Sequence, residues 1–271
     1  MTDLAAKLAQ ETDDALEARR RNADRIAKER AGTARGDEAE RLLALIEAEF
    51  DRRHLPGMMT SFLEKFPEGF RDPLHLEQER NYKLEASRYC RAELTAEAFA
   101  HVREGGSPDE LVARVRRLVQ MTNLIQGGFE KPKLLDAISD PKYTRGFLAA
   151  LDNLLHGVGS ASDRLEDFTA VLAGMGLRKW TYATYFLFLS DPANAMYVKP
   201  EGLKRALEIT RYKLEYDSAP SGALYSEILG FAAWLKTKLV QERNPALQPE
   251  DMIDVQSFIW HMAPTGKFAE A

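Results

Sequence analysis

The chain has 271 residues, 45% hydrophobic and 29% charged, which is enough apolar material for one large domain or two small ones. Its formal net charge of −5 excludes a globally basic nucleic-acid binder, so any nucleic-acid partner has to meet a local basic face. A single cysteine, Cys90, excludes an internal disulfide framework and suits a reducing cytoplasm.

Residues 1–35 read as a charged N-terminal arm. The stretch 2–31 is rich in Ala, Glu, Arg and Lys with few large apolar side chains, which predicts an exposed, solvated helix. It has no apolar run of the kind a signal peptide needs. Gly32 to Gly36 break it. A second unit, 36–128, opens with a helix that lines up Leu42, Leu43, Leu45, Ile46 and Phe50. Pro56-Gly57 and Phe66-Pro67-Glu68-Gly69-Phe70 predict turns, and a long helix follows from about Pro73 to Arg91. Ser107-Pro108-Asp109-Glu110 predicts a capped helix start. In that helix Leu111, Val112, Val115, Leu118 and Val119 share one side, with Arg114, Arg116 and Arg117 largely off it.

The third unit, 129–271, is expected to hold helices over about 131–139, 141–156, 178–189, 200–213, 222–243 and 249–262, with another capped by Ser162 and ending near Leu172. Met196-Tyr197-Val198 is the only short β-like piece. The apolar run Tyr182 to Leu189 falls far short of the roughly 20 residues that cross a bilayer. The expectation is an all-α, multi-helix globular protein without a membrane segment, located in the cytoplasm.

Several chemistries have no motif here: there is no Walker loop, Rossmann fingerprint, HExxH, CxxC or G-x-S-x-G. The five histidines, His54, His75, His101, His156 and His261, are scattered without ligand spacing, so neither a metal nor a small-molecule cofactor is expected.

The most informative stretch is Leu172-Ala173-Gly174-Met175-Gly176-Leu177-Arg178-Lys179-Trp180, an L-x-G-h-G pattern between two helices. It has two readings. Gly174 and Gly176 can turn the chain so that backbone N–H groups at the next helix start hold a phosphate, with Arg178 and Lys179 adding charge. Alternatively they form a glycine C-cap followed by a new helix. Gly157-Val158-Gly159 repeats the local pattern without comparable residues after it.

Residues 172 to about 262 resemble the helix-hairpin-helix DNA glycosylase superfamily. The resemblance implies that LAGMG is the hairpin that grips the DNA backbone, WTYATYFLFL the amphipathic helix after it, and Tyr197-Val198-Lys199-Pro200 the start of the next helix. Lys199 stands where that family has its catalytic Asp. Three accounts follow: Lys199 attacks the sugar as a Schiff-base nucleophile, Lys199 binds phosphate, or the carboxylate comes from elsewhere. Asp254, between Ile253 and Val255, is the leading substitute, as catalyst or as helix cap. Gln256 and Ser257 beside it have the chemistry to hydrogen-bond a base edge or a backbone atom.

Trp180, Tyr182, Tyr185, Tyr197 and Trp260 suit either base stacking or the core, Trp180 being the least committed to core. Asn123 and Gln126 either approach a flipped base, as the resemblance implies, or cap a helix. Arg80, Lys83, Arg88 and Arg91 with Tyr82 and Tyr89 form either a phosphate-tracking face or an ordinary mixed-charge surface. The runs FEKPKLLDAI, RKWTYATYFLFLSDP, MYVKP and PEDMIDVQSFIW further resemble a narrower group of bacterial glycosylases that excise glucosylated hydroxymethylcytosine from phage DNA. What the resemblance implies is a cofactor-free DNA glycosylase acting on double-stranded, modified phage DNA. The competing expectations are a non-catalytic helical DNA-binding module and a protein-interaction domain docking through its N-terminal arm.

Overall fold

A computed structural model describes residues 2–262, and every regular element among them is helical. The closing residues of the 129–271 unit therefore lie partly outside the described residues. Met196-Tyr197-Val198, the β-like piece, is extended chain without a strand partner.

The N-terminal arm differs from the single solvated helix expected. It forms α1 (Thr2–Leu8) and α2 (Asp13–Glu29), with Thr12 capping α2 through the Ala15 N–H. Leu8 and Leu16 are buried against Ile46 and Phe50 of α3 (Ala34–Lys65), so the few apolar residues in a charged stretch suffice to dock it. Arg53 reinforces this by donating to Asp13 at 2.8 Å and to the Leu8 carbonyl at 3.0 Å. Helix α3 also runs straight through Pro56-Gly57, where a turn was predicted. Proline costs a helix interior about 3 kcal/mol. Burial of Leu55, Met58, Met59 and Phe62 on both sides of it outweighs that cost.

After a short 3₁₀ turn, Gly69–Arg71, the chain re-enters helix at α4 (Pro73–His75), capped by Asp72. It passes through a π-helical turn, Leu76–Arg80, into α5 (Asn81–Glu93). A π turn inserts one extra residue and rotates the side chains that follow. The body is completed by α6 (Ala96–Arg103), α7 (Asp109–Gln120), α8 (Glu130–Ser139), α9 (Thr144–His156) and α10 (Ala161–Gly174). Four further helices follow: α11 (Trp180–Ser190), α12 (Pro200–Thr210), α13 (Gly222–Gln241) and α14 (Met252–His261).

Two caps differ from expectation: Ser160 with Asp163, rather than Ser162, forms the box at α10, and Asp251 rather than Pro249 opens α14. In each case the capping side chain reaches the backbone N–H two or three residues ahead, which sets the boundary. One hydrophobic core runs from Leu55 to Met262 through both the 36–128 and 129–271 units. Helix α11 lies at its centre, with every residue from Trp180 to Leu189 buried. Among the described residues, no helix is long and apolar enough to cross a membrane.

Candidate functional site

The glycine segment after α10 is a Schellman turn. Gly176 N–H donates to the Ala173 carbonyl at 3.0 Å and Leu177 N–H to the Leu172 carbonyl at 2.8 Å, with Gly176 at φ +68°. Gly176 is thus required by backbone conformation. A methyl group at Gly174 would meet nothing within 4 Å, so the first glycine of the pair is not. Helix α11 then starts with no side-chain cap, and Arg178 and Lys179 are exposed beside it. The turn is tied to the start of α8: Lys133 donates to the Gly176 carbonyl at 2.8 Å, and Lys179 pairs with Glu130 at 2.9 Å. Thr181 and Tyr182 also donate to Glu130, at its carboxylate and its carbonyl.

The loop that enters α8 carries Asn123, Gln126, Gly127, Gly128 and Phe129. Asn123 is exposed. Gln126 folds back so that its Oε1 accepts from the Phe129 N–H at 2.9 Å, which makes it a cap for α8. Lys131 Nζ donates to the Thr122 carbonyl at 2.6 Å and the Tyr197 hydroxyl to the Leu124 carbonyl at 2.7 Å, so the base of the loop is rigid. Phe129 nevertheless stands 82% exposed. A phenylalanine held in water by a well-braced loop is an unusual expense of apolar surface. The sequence signal was available, an aromatic directly after two glycines at a helix start, but periodicity arguments pass over it.

A buried polar seam joins the segment 75–83 to α14. The first of its links runs from His75 to Ser257, 2.6 Å from Nε2 to Oγ. The Phe70 carbonyl, 3.1 Å from Nδ1, can only accept, so Nδ1 carries the proton and Nε2 accepts from the serine. Burial pushes His75 down to about 4, consistent with a neutral ring. Arg80 contacts Asp254 at 2.7 Å, Asp251 at 2.9 Å and Glu250 at 2.6 Å. Burial opposes the Arg80 cation, but these carboxylates raise its pKa above the usual arginine value. Lys83, fully enclosed, donates to Gln256 Oε1 at 2.6 Å and to Glu79 at 2.8 Å. The other Glu79 oxygen is 2.7 Å from His261 Nε2. Burial alone would raise Glu79, but the hydrogen bonds and charges of His261 and Lys83 hold it down at about 2.

Asp254 therefore sits where it has no free face. It is 1% exposed, with one oxygen on Arg80 and the other accepting the Glu250 N–H at 2.8 Å. Burial lifts it to about 6 despite Arg80. Its folded-state pKa exceeds the unfolded 3.8, so it adds stability as pH falls from about 6 to 3.8. His75 does the opposite, losing stability as pH falls from 6.5 to about 4. Each is worth about 3 kcal/mol, so they nearly cancel. In Asp254→Asn the His75 slope should stand alone, and the melting temperature should fall between pH 6.5 and 4 where the unaltered protein stays level. A level profile in the variant would show that His75 is not the group titrating.

Lys199 is the N-cap residue of α12 and half-buried. Its Nζ lies 3.5 Å from the centre of the Trp260 ring. Burial lowers its pKa, Lys83 pushes the same way, and Glu79 and Glu130 pull back. The slot lined by Tyr197, Lys199, Gly202, Gln256 and Trp260 holds about 10 Å³, room for a single water.

Several residues expected at a DNA surface lie elsewhere. Trp180 is fully buried, its Nε1 donating to the Asp217 carbonyl at 2.8 Å, because α11 is the central helix of the core. Gln256 and Ser257 are buried in the polar seam rather than facing outward. Arg178, Lys179 and Asn123 remain exposed; Lys179 is brought to Glu130, the residue after Phe129, whereas Arg178 donates to the Pro220 carbonyl at 3.3 Å. A cavity of about 350 Å³ lies apart from all of these, between the arm, α3 and α12–α13. Three of the charges on its wall are paired, Arg20 with Glu17, Lys213 with Asp24 and Asp51 with Lys238. No family model matches the chain, and neither does any curated protein or solved structure.

Proposed function

We propose that the protein is a DNA N-glycosylase that acts on a modified base, with phage DNA carrying modified cytosine as its substrate class. The observation that carries this reading is the coupling of the Gly176 turn to the Phe129 loop through Lys133 and Glu130. Arg178 and Lys179 stand exposed at the start of α11, two cations that suit a phosphate once it displaces the Pro220 carbonyl and the Glu130 carboxylate that now hold them. The exposed Phe129 ring, next in sequence to Glu130, the partner of Lys179, suits entry into a base stack, the step that extrudes a nucleotide. Lys199, Trp260 and the Glu79–Lys83 pair then form a charged, partly enclosed site at the start of α12, at the spacing from the hairpin that the sequence resemblance implies. The closed slot at Trp260 favours one competing reading, a non-catalytic DNA-binding module.

The experiment is incubation with phage DNA containing modified cytosine and with the same DNA unmodified, followed by an aldehyde-reactive probe for abasic sites. Probe signal on the modified DNA alone is the expected result. Salt-sensitive duplex binding without any abasic site would establish the non-catalytic module, and no binding at any salt would remove DNA altogether. Phe129→Ala should cut base release by about tenfold to a hundredfold, in line with about 1–3 kcal/mol for an aromatic–base stack. Because Phe129 is 82% exposed, the melting temperature of that variant should not move.

A further inference from the structure

We propose that a second site, at the end of α11 opposite the Gly176 turn, binds a small aliphatic carboxylate. None of the residues around it belongs to the turn, the Phe129 loop or the Lys199–Trp260 pair.

A cavity of about 250 Å³ lies where α5, α9 and α10 meet the last turn of α11. Helix α11 has 11 residues, so its two ends are about 16 Å apart. Leu94, Leu155, Leu187 and Ala195 give the cavity an apolar lining. Cys90 joins them, since burial pushes its thiol up to about 12 and keeps it neutral. The charged lining consists of Arg91, Arg164 and Asp191. Among the described residues none of these three has an ion-pair partner, in a protein whose surface charges are widely paired.

Arg164 is committed on one side only. Its Nη1 donates to the Leu154 carbonyl at 2.5 Å, which fixes the side chain between α9 and α10. The other edge, Nε with Nη2, has no hydrogen-bond partner among the described residues, and Nε is shut off from solvent. A donor buried without a partner is costly and rare, and it calls for a ligand or a water. That edge carries two parallel N–H groups, the arrangement a carboxylate takes with both oxygens. A carboxylate in the cavity satisfies both donors by drawing the guanidinium slightly inward. Arg91, in the last turn of α5 and exposed, adds a second cation to the same cavity. The sequence placed Arg91 on either a phosphate-tracking face or an ordinary mixed-charge surface.

Charge and size narrow the ligand. The two guanidinium groups outnumber Asp191 by one charge, which matches a monoanion. A phosphate dianion would set its second charge against Asp191. The volume equals that of about eight waters, which is the size of a six-carbon acid whose chain covers the leucines. Both Asp191 oxygens accept from Asn194 Nδ2 at 3.1 Å, and Asp191 ends α11, where the helix dipole favours a cation. An α-amino group on the acid therefore has a counter-ion in place.

The test is calorimetric titration of the full chain with hexanoate, with norleucine, which is the same acid carrying an α-amino group, and with inorganic phosphate. The expected result is saturable binding of one or both acids with a Kd of about a millimolar or tighter, and none of phosphate. Arg164→Gln should weaken the acid at least tenfold. Because that change also removes the donor to Leu154, Arg91→Ala serves beside it. It should weaken binding about threefold to tenfold while the melting temperature holds. Norleucine binding more tightly than hexanoate, with the difference lost in Asp191→Asn, supports the site and assigns an amino acid to it. Equal or weaker binding of norleucine supports it for a simple acid. Phosphate binding alone overturns the carboxylate. No heat from either acid at about ten millimolar, or affinity unchanged in both arginine variants, overturns the site.

Discussion

Arg80→Ala is expected to destabilise the protein by about 3–5 kcal/mol, the range for breaking a buried ion pair on one side. The guanidinium serves three carboxylates at once: a fork onto Asp251, at 2.9 and 3.0 Å, and single contacts to Asp254 and Glu250. Glu250 is exposed and recovers hydration, but Asp254 is left buried with only the Glu250 N–H. For a chain of this length the melting temperature should drop by on the order of 10 °C. Arg80→Lys should rescue little, because an ammonium cannot reproduce the planar fork. Adding Asp254→Asn to Arg80→Ala should restore part of the loss, since the uncompensated charge is then gone. If Arg80→Ala lowers stability by less than about 1 kcal/mol, the seam does not hold α14 in the way described.

The second large effect is expected at Glu79. Glu79→Gln leaves Lys83, which is entirely buried, without its counter-ion, a cost of about 3 kcal/mol. Loss of a proton from Lys83 limits that cost, since burial already lowers its pKa. The acid limb separates this from simple loss of packing. Glu79 is held at about 2 against 4.5 in the unfolded chain, so its contribution is present above pH 4.5 and disappears as pH falls toward 2. Urea midpoints measured from pH 7 to pH 3 should therefore converge for Glu79→Gln and the unaltered protein at the acid end. Parallel curves would assign the loss to packing.

The π-helical turn connects these two residues. Glu79 and Arg80 lie in it and Lys83 one turn beyond, and together they reach both the middle and the end of α14. An uninterrupted α-helix would swing these side chains by about one residue's rotation, roughly 100°. Without that offset, Arg80 would not meet Asp254 while Lys83 meets Gln256.

The sequence by itself determined the class of fold and most of the helices. Capping residues, glycine breaks and 3.6-residue periodicity act within a few positions along the chain. The Schellman turn at Gly176 is of this kind, legible because its hydrogen bonds span residues 172–177 alone. Tertiary structure decided which side of each helix meets water and which charges meet each other. Trp180, which the sequence leaves open between base stacking and core, lies at the core, because its environment comes from Asp217 and Tyr225. Asp254, open in the sequence between catalyst and helix cap, accepts from the Glu250 N–H and is bound to Arg80, 174 positions away. Glu79 and Lys83 looked like one more mixed-charge helix face until α14 closed over them. The physical reason is the range of the forces. Backbone hydrogen bonds and caps are specified by near neighbours, whereas desolvation and ion pairing depend on what long-range packing brings near. The segment that remains most informative is therefore read differently at its two ends: the turn at Gly176 by local rule, and Lys199 only through Trp260, Glu79 and Lys83.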